Sequence, residues 1–522
     1  MMREHLETFL AETRARDGGG LPAFVERELR EFLSCGVLAN GFARFRCDGC
    51  GHEILVAFSC KGRAFCPSCC GRRMSELAAH LTDHVLGGLP VWQWVLTLPH
   101  RLRYALAWDH KLCRSVLGVF LRALLGFERR RAARRGIRAG RGGAVTAIQR
   151  FGSALNLNVH FHTLAVQGVF IDDGCGGLRF VRNPEPSEFE IESLLLTIAR
   201  RITRLAKRHG IDLDRPQEEE ASDPLASESP LLAGISGASV FGRVATGGRA
   251  GQRAQRIGRH PDASLRAAVA EHQAQFGGFD LHAGVAVPAG DRERLEHLCR
   301  YVLRPPVAQD ALELTRDGKI LLRMRRPWHD GTRAILFEPH ELIERLAALV
   351  PKPRINLLLY HGILGPSARL RRSAVAAAMA LSSPGAALEV SPREEQAPSR
   401  AALDPPGPPT PPARGPSDAE AAHTSPALGP SDPVGRSAGG GAPRRSGPRP
   451  HTPWAELLRR TFEIDVLACT ECGGRLRLLA TIEDPAVVRK ILSHLGIAPE
   501  VPRPAPARSP PEATGLFDFG SD

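Results

Sequence analysis

Apolar positions follow helical spacing at the start of the chain and strand-like spacing further on. Residues 1–34 carry apolar side chains at helical intervals, which predicts N-terminal helices. The segments 93–98 (QWVLTL) and 155–170 (LNLNVHFHTLAVQGVF) are rich in β-branched and aromatic residues, as buried strands are. A helical stretch over 104–135 lies between them. Helices and strands in this mixture predict an α+β fold.

Composition divides the chain into segments. Residues 376–452 contain Pro and Gly runs, and 384–452 contain no Phe, Tyr or Trp, so this part buries too little apolar surface to offset its ordering entropy. The predicted organisation is a helical and cysteine-rich N-terminal domain at 1–90, a mixed domain at 91–375 with an insertion at about 215–260, a disordered linker at 376–452, a small C-terminal element at 453–500 and a tail at 501–522.

The charge balance favours a polyanionic partner. The chain has 522 residues, a formal net charge of +13 and a pI of about 9.6, with arginine supplying nearly all the positive charge. Nucleic acid is the first candidate partner and an anionic membrane surface the second. No apolar run approaches the roughly 18–20 residues that span a bilayer. The charged N-terminus lacks the apolar core of a signal peptide, so we expect a cytoplasmic protein without a membrane anchor.

Cysteine spacing predicts a structural zinc site. Two Cys-x-x-Cys pairs, Cys47 with Cys50 and Cys66 with Cys69, are separated by fifteen residues. This spacing is typical of four thiolates closing a tetrahedral zinc shell. Cys60 and Cys70 are left over and could replace a member of the set.

A later pair, Cys469 and Cys472, supplies two thiolates, which is half a site. No cysteine follows it in the chain. Completion by His494, completion by another subunit, and no metal at all remain the alternatives for this pair.

Two histidines lie two residues apart in the strand-like run. Side chains at i and i+2 of a strand project from one face, so His160 and His162 could chelate one divalent metal and leave positions open for phosphate or water. Two unconnected histidines on a strand are the alternative.

The segment DRERLEHLCRYVLRPP (291–306) has the pattern of a helix. Asp291 is a good N-cap, Leu295, Leu298 and Val302 form an apolar stripe, and Pro305 ends the helix. Tyr301 lies off that stripe. It is one of three tyrosines, and the other two, Tyr104 and Tyr360, are placed like packing residues.

Long segments of the chain resemble the rolling-circle transposases of bacterial insertion sequences, in particular the IS91 group and its ISCR common-region relatives. The segments that carry the resemblance are 47–74, 93–104, 149–170, 278–308, 326–366 and 469–482. The resemblance implies a nuclease domain of the HUH endonuclease type with a central antiparallel sheet. It also implies that His160-Phe161-His162 is the metal motif and Tyr301 the nucleophile.

The same resemblance implies a mechanism and its partners. Tyrosine attack would give a 5′-phosphotyrosine link and a free 3′-OH, with Mg²⁺ or Mn²⁺ as the catalytic metal. DNA is the implied partner, mainly as single-stranded element ends and target, at the bacterial nucleoid; a homodimer is left open. His282 is the favoured third metal ligand, with Glu296 and His297 as competitors. His297 also stands where two-tyrosine members carry their second tyrosine, which indicates the single-tyrosine branch.

Arginines near these motifs are the candidate DNA contacts. The expected residues are Arg129, Arg130, Arg131, Arg134, Arg135, Arg300 and Arg304. A solvated helix face is the alternative for the run at 129–141. A non-catalytic zinc DNA-binding regulator, and a plasmid relaxase or replication initiator of the same chemistry, are the competing functions.

Overall fold

The computed structural model describes residues 1–17, 19–213, 223–260, 270–381 and 453–508. The helices in these residues are α1 (Met2–Asp17), α2 (Ala23–Ser34), α3 (Pro67–Leu81), α4 (His100–Trp108), α5 (His110–Arg134), α6 (Glu188–Arg208), α7 (Pro224–Glu228), α8 (Pro230–Val240), α9 (Arg292–Leu303), α10 (Pro339–Leu349), α11 (Arg371–Ala380), α12 (Trp454–Phe462) and α13 (Pro485–His494). A π-helical turn, Thr82–Leu86, follows α3.

The strands fall into four sheets. They are β1 (Phe42–Cys47), β2 (Glu53–Ala57), β3 (Val91–Thr97), β4 (Gly143–Phe151), β5 (Leu157–Val166), β6 (Gly168–Asp172), β7 (Leu178–Arg182), β8 (Gln255–Ile257), β9 (Gln273–Phe276), β10 (Phe279–Val287), β11 (Leu312–Leu314), β12 (Ile320–Arg323), β13 (Ala334–Phe337), β14 (Leu358–Gly362) and β15 (Leu476–Ile482). This mixture confirms the α+β class.

The largest sheet has six strands in the order β14-β4-β5-β3-β10-β9. Every neighbouring pair is antiparallel, as predicted for the central sheet. Strand β5 lies inside the sheet between β4 and β3, so its backbone is paired on both sides and its ten residues are almost all buried.

The two faces of this sheet carry separate cores. Phe161 and Ala165 of β5 face a core to which α4, α5 and α6 contribute. Leu164 and Val166 point to the opposite face, where α3, α9 and α11 cover the sheet. Since side chains alternate along a strand, His160 and His162 lie on the second face, with Leu164.

A three-stranded sheet of order β15-β1-β2 joins the two ends of the chain. Strand β15 pairs antiparallel with β1, and the register places Leu476 opposite Cys47. Residues 453–508 therefore belong to the same compact unit as the N-terminal residues.

The predicted segment limits hold only in part. The helical stretch over 104–135 is two helices, because Asp109 interrupts it and its side chain accepts a hydrogen bond from the Leu112 N–H. The boundary at 375 is wrong, since α11 runs on to Ala380. The rest of the predicted linker, 382–452, lies outside the described residues, as do 509–522 of the tail.

Part of the predicted insertion at 215–260 is folded into the core. Residues 214–222 lie outside the described part, but α8 buries Leu231, Leu232 and Ile235 in the core cluster on the Phe161 face. No helix among the described residues is long and apolar enough to cross a membrane.

Replacing Phe161 by alanine should destabilise the protein by about 3–5 kcal/mol, because the ring is fully buried in the central strand and stacks on Phe120. Chemical denaturation gives this free energy of unfolding. The matched control is Phe189→Ala, which removes a ring that is 78% exposed and should change stability by no more than about 0.5 kcal/mol. Equal effects of the two substitutions would contradict the assigned core.

Candidate active site and metal centres

The histidine pair occupies the middle of the central sheet. His160 and His162 are both buried, and their Nε2 atoms lie 3.0 Å apart. Two ligands that bind one metal at about 2.1 Å and at right angles are separated by about 3.0 Å. The two imidazoles are therefore already at the spacing of neighbouring ligands on a divalent ion.

Hydrogen bonds at Nδ1 decide which ring nitrogen is free. Nδ1–H of His160 donates to the Asn158 carbonyl at 2.9 Å, which leaves a lone pair on Nε2. Nδ1 of His162 lies 2.8 Å from the side-chain amide of Gln93, on the neighbouring strand β3. The Gln93 amide nitrogen faces the ring and donates to Nδ1, so Nε2 of His162 carries the proton and donates to Nε2 of His160. With the Gln93 amide turned over so that its oxygen faces the ring, Nδ1–H of His162 donates instead and its Nε2 is free to bind metal.

Burial keeps both imidazoles uncharged. Desolvation lowers the pKa of His160 to about 4 and lowers the pKa of His162 well below the ordinary histidine range. Both rings are therefore neutral at pH 7, which is the form that binds metal.

The structure does not bring His282, the third ligand predicted on β10, to the histidine pair. Within the described residues, no His, Cys, Asp or Glu places a ligand atom within 4.8 Å of both members of the pair. His282 of β10 is in register with Val95 of β3, and Val95 is in register with His162 of β5. Strand β3 therefore separates His282 from His162 by two strand spacings, roughly 10 Å. The competitors Glu296 and His297 are excluded by the same distance criterion.

A glutamine missed by sequence reasoning stands next to the pair. Gln149 of β4 is directly opposite His160, and its amide nitrogen donates to the Val302 carbonyl of α9 at 2.8 Å. Its Oε1 is buried without a hydrogen-bond partner among the described residues. An amide oxygen at this place suits a hard cation such as Mg²⁺ or Mn²⁺. Only the strand register reveals it, and the local sequence carries no signal for it.

Helix α9 brings Tyr301 to the histidines. Its stripe of Leu295, Leu298 and Val302 is buried against the sheet, and its N-cap and end at Pro305 are as predicted. The Tyr301 side chain is 45% exposed, and its ring centroid lies 6.0 Å from that of His162 at an interplanar angle of 78°. The phenol ring therefore lies beside the candidate metal site while it stays open to solvent.

A cation lies over the same tyrosine. The Arg304 guanidinium carbon is 4.4 Å from the centre of the Tyr301 ring, and its Nη1 donates to the Tyr301 carbonyl at 3.2 Å. This half-buried arginine is positioned to meet an anionic group beside the tyrosine hydroxyl. His297, one turn earlier on α9, is exposed.

The other two tyrosines lie elsewhere. The Tyr104 hydroxyl donates to Asp223, and burial together with that carboxylate raises the pKa of Tyr104 above its ordinary range. Tyr360 is on β14, in register with Val145 rather than with the histidines, and the Arg371 guanidinium stacks over its ring at 5.1 Å.

The twelve cysteines include two groups of four. The first group is Cys35, Cys60, Cys66 and Cys69, and the second is Cys47, Cys50, Cys469 and Cys472. In each group the four sulfurs lie within 4.8 Å of one another, with contacts of 3.4–3.7 Å in the first group and 3.5–3.6 Å in the second. Four sulfurs at about 2.3 Å from a tetrahedral zinc are about 3.8 Å apart, and a disulfide is far shorter at about 2.05 Å.

The predicted set of Cys47, Cys50, Cys66 and Cys69 is therefore wrong as a single site. The first pair lies at the end of β1, where β15 brings the Cys469 loop alongside: the Asp48 N–H donates to the Arg475 carbonyl at 3.1 Å. The second pair lies at the start of α3 and meets the end of α2 and the loop after β2.

The partners expected for the C-terminal pair are also wrong. Exposed His494 belongs to neither group, and no second subunit is needed to complete the set. Cys60, left over in the spacing argument, is a full member of the first group.

Backbone amides support the thiolates of both groups. The N–H groups of Gly49, Gly62 and Gly474 donate to the sulfur two residues earlier in the chain at 3.3–3.4 Å. Amide donors stabilise thiolates, which is the form that binds zinc.

Three of the predicted DNA-binding arginines have partners within the protein, and of these Arg131 is buried while Arg134 is exposed. Buried Arg131 donates to the carbonyls of Pro184 and Glu185 at 2.8 Å, because α5 packs against the start of α6. Arg134 pairs with Glu190 at 3.1 Å, and Arg135 donates to the Arg182 carbonyl. Arg129 and Arg130 are exposed, as a DNA contact requires.

The two arginines predicted on and after α9 lie close to the tyrosine. Arg300 donates to the Thr461 carbonyl of α12, and Arg304 covers the Tyr301 ring.

A larger basic surface, which we call the arginine groove, was not visible in the sequence. It consists of two adjoining cavities of about 440 and 650 Å³ that share Gly118 and Arg122 of α5. Its arginines are Arg114, Arg122, Arg129, Arg141, Arg201, Arg204, Arg208 and Arg369. No acidic residue lines either cavity among the described residues. Arg129 and Arg141 belong to the charged run at 129–141, but the other six come from α5, α6 and a loop far apart in the chain, so the local run marks only part of the groove.

Two segments of the chain match known protein families. Residues 1–98, which contain six of the eight clustered cysteines, match the IS91 transposase zinc-binding domain. Residues 143–373, which contain the histidine pair and Tyr301, match the Y2_Tnp transposase family. No curated protein and no solved structure matches the chain.

The zinc-binding match and the cysteine groups together support structural zinc, and a transposase implies DNA as the partner. The resemblance drawn from the sequence motifs is confirmed, and the chain belongs to the IS91-type transposases.

Proposed function

We propose that this transposase cuts and rejoins single-stranded DNA through Tyr301, with a divalent metal held by His160 and His162. The observation that carries the proposal is the approach of the Tyr301 ring to within 6.0 Å of the His162 ring, on a helix packed against the histidine face of the sheet. A nucleophile must reach a phosphate held over the metal, and a half-exposed phenol beside the pair meets that requirement.

The donor set suits Mg²⁺ or Mn²⁺. Two neutral imidazoles with Nε2 atoms 3.0 Å apart and the unpartnered amide oxygen of Gln149 provide three ligand atoms on one face of the sheet. A bound ion would neutralise charge on the non-bridging phosphate oxygens. The chain positions the phosphate and the phenol for in-line attack.

The proposed reaction exchanges one phosphodiester bond for another and keeps the bond energy in the covalent intermediate. Tyr301 Oη attacks phosphorus, the new Oη–P bond forms, and the bond from phosphorus to the 3′ oxygen breaks. The tyrosine proton passes to solvent, which reaches the exposed edge of the ring, and the leaving 3′ oxygen takes up a proton to become a 3′-OH. The 5′ end stays linked to Tyr301, so a later attack by a 3′-OH can rejoin the strand without ATP.

The arginine groove is the proposed contact for flanking DNA. Helices α5 and α6, which line it, cover the sheet face opposite the histidine pair, so the groove and the pair can hold different parts of one DNA molecule. Guanidinium groups spaced along a groove match a phosphate backbone without reading base sequence. Activity on chromosomal or element DNA would place the protein at the nucleoid.

Replacing His160 or His162 by alanine should abolish cleavage of single-stranded element ends in Mg²⁺ or Mn²⁺ while DNA binding persists, because the pair serves the phosphate and not the DNA backbone. A nicking assay and a binding titration on the same protein measure the two effects. His494→Ala, an exposed histidine of α13, is the control and should cleave normally. Wild-type cleavage by either variant of the pair would refute the metal site.

Tyr301→Phe should eliminate the covalent protein–DNA adduct and leave the free energy of unfolding nearly unchanged, because it removes one oxygen from a half-exposed ring. Adduct formation is followed by denaturing gel and the linked residue by peptide mapping. Tyr360→Phe is the matched control and should still form the adduct. A nucleotide mapped to Tyr360 would overturn the assignment, and DNA binding without any adduct would favour a non-catalytic regulator.

Arg204→Gln with Arg208→Gln should weaken DNA binding and reduce the slope of log affinity against log salt by about one for each phosphate that the variant no longer neutralises. The control is Arg323→Gln with Arg477→Gln, two exposed arginines outside the groove, which removes the same charge. An equal decrease in affinity in both double variants would show that total charge and not the groove governs binding.

A further inference from the structure

The second cysteine group is assembled from both ends of the chain. Cys47 and Cys50 come from the turn after β1, and Cys469 and Cys472 from the loop before β15. We propose that this group is a zinc clamp that fixes the C-terminal residues 454–482 to the N-terminal domain and thereby holds the helix of Tyr301 in place. The second half of this proposal rests on the proposed role of Tyr301.

The geometry of the clamp is that of a closed structural zinc site. The sulfurs of Cys47 and Cys472 are 3.5 Å apart and those of Cys50 and Cys469 are 3.6 Å apart. Cys47 and Cys469 are almost fully buried. Four thiolates leave no open position on the ion, so the site stabilises structure and does not carry out chemistry.

Glycines in the loops around the sulfurs allow the backbone to lie close to the cysteine side chains. A Cβ on Gly474 would lie 3.1 Å from the Cys47 sulfur and 3.2 Å from the Cys472 sulfur, so any side chain there would press on the cluster. Within each loop a glycine N–H donates to the cysteine two residues earlier, Gly474 to Cys472 and Gly49 to Cys47. Gly473, with a φ of +70°, supplies the left-handed turn between the second cysteine and the strand.

Helix α12, just before the clamp, holds α9 through two arginines. The Arg460 guanidinium donates to both carboxylate oxygens of Asp83, at 2.6 and 3.0 Å, and to Glu296 of α9. In the opposite direction, Arg300 of α9 donates to the Thr461 carbonyl at 2.9 Å. Tyr301 directly follows Arg300, so the second contact fixes the backbone next to the proposed nucleophile.

The Arg460 contacts are strong because they neutralise buried charge. Glu296 is buried, and a buried carboxylate is costly unless a cation pairs with it. At Asp83, burial opposes ionisation, but the hydrogen bonds and charges of Arg460 and Arg292 outweigh it and lower the pKa of that carboxyl. Withdrawal of α12 would leave Glu296 without this partner and would loosen the middle of α9.

Elemental analysis of the full-length protein tests the clamp directly. We expect two zinc ions per wild-type chain and one in Cys469→Ser/Cys472→Ser, with two retained in the control Cys175→Ser, which replaces an exposed cysteine outside both groups. One zinc in the wild type, or an unchanged zinc content in the double variant, would overturn the clamp.

Hydrogen exchange tests the link to α9 without DNA. The double variant should exchange the amides of α9 and α12 faster than the wild type. Arg460→Gln should keep two zinc ions and still speed exchange in α9, and it serves as the second variant if the cysteine variant does not fold. The matched control, Arg489→Gln, changes an arginine on α13 whose side chain bonds within its own helix. Unchanged α9 exchange in Arg460→Gln would refute the positioning role.

Kinetics separate this inference from the proposed chemistry. Arg460→Gln should slow single-turnover adduct formation about 10–100-fold, as a displaced reacting group does, and leave DNA affinity unchanged. An equal decrease in affinity and rate would indicate a general structural effect and would overturn the positioning role. If Tyr301→Phe still forms the adduct, the proposed chemistry is refuted. The zinc content and the hydrogen-exchange rates test the clamp independently of that result.

Discussion

The alternation of side chains along one buried strand organises the whole candidate active site. Strand β5 has to bury both faces, and its apolar residues alternate with the polar pair at His160 and His162. Burial makes these rings neutral, pleating sends them to one face, and the 3.0 Å gap between their Nε2 atoms is stable only if one nitrogen carries a proton or both bind one cation. The helices that cover this face therefore determine which other groups lie beside the histidine pair.

Much of this arrangement follows from local sequence. The N-cap Asp291, the apolar stripe and Pro305 determine helix α9 and the outward direction of Tyr301, and the period of two determines the shared face of the histidines. Contacts between distant segments do not follow. The register of β4 and β10 against β5 and β3 decides that Gln149, and not His282, stands beside the pair, and a strand sequence does not show which strands will be its neighbours.

The cysteine groups also depend on contacts between distant segments that local sequence does not reveal. Spacing identifies pairs of thiolates, because a Cys-x-x-Cys turn is local, but it does not say which pairs share an ion. Cys47 and Cys50 meet cysteines more than four hundred residues away, since β15 adds to the edge of the β1–β2 hairpin. For the arginines of α5, the position on the helix decides whether the side chain is exposed. Arg131 faces the core side and donates to carbonyls of the next segment, whereas Arg129 and Arg130 face solvent.

The central sheet separates positive charge from the proposed chemistry. Six of the eight groove arginines lie on α5 and α6, which cover the face opposite the histidines, while on the histidine face Arg304 lies over the tyrosine ring. A strongly cationic surface beside two neutral imidazoles would disfavour a divalent cation, so this position keeps most of the proposed phosphate-binding charge away from the proposed metal ligands. Helix α9 links the two, because Arg304 places a positive charge over the Tyr301 ring while Gln149, bonded to the Val302 carbonyl, ties the same helix to the proposed metal ligands.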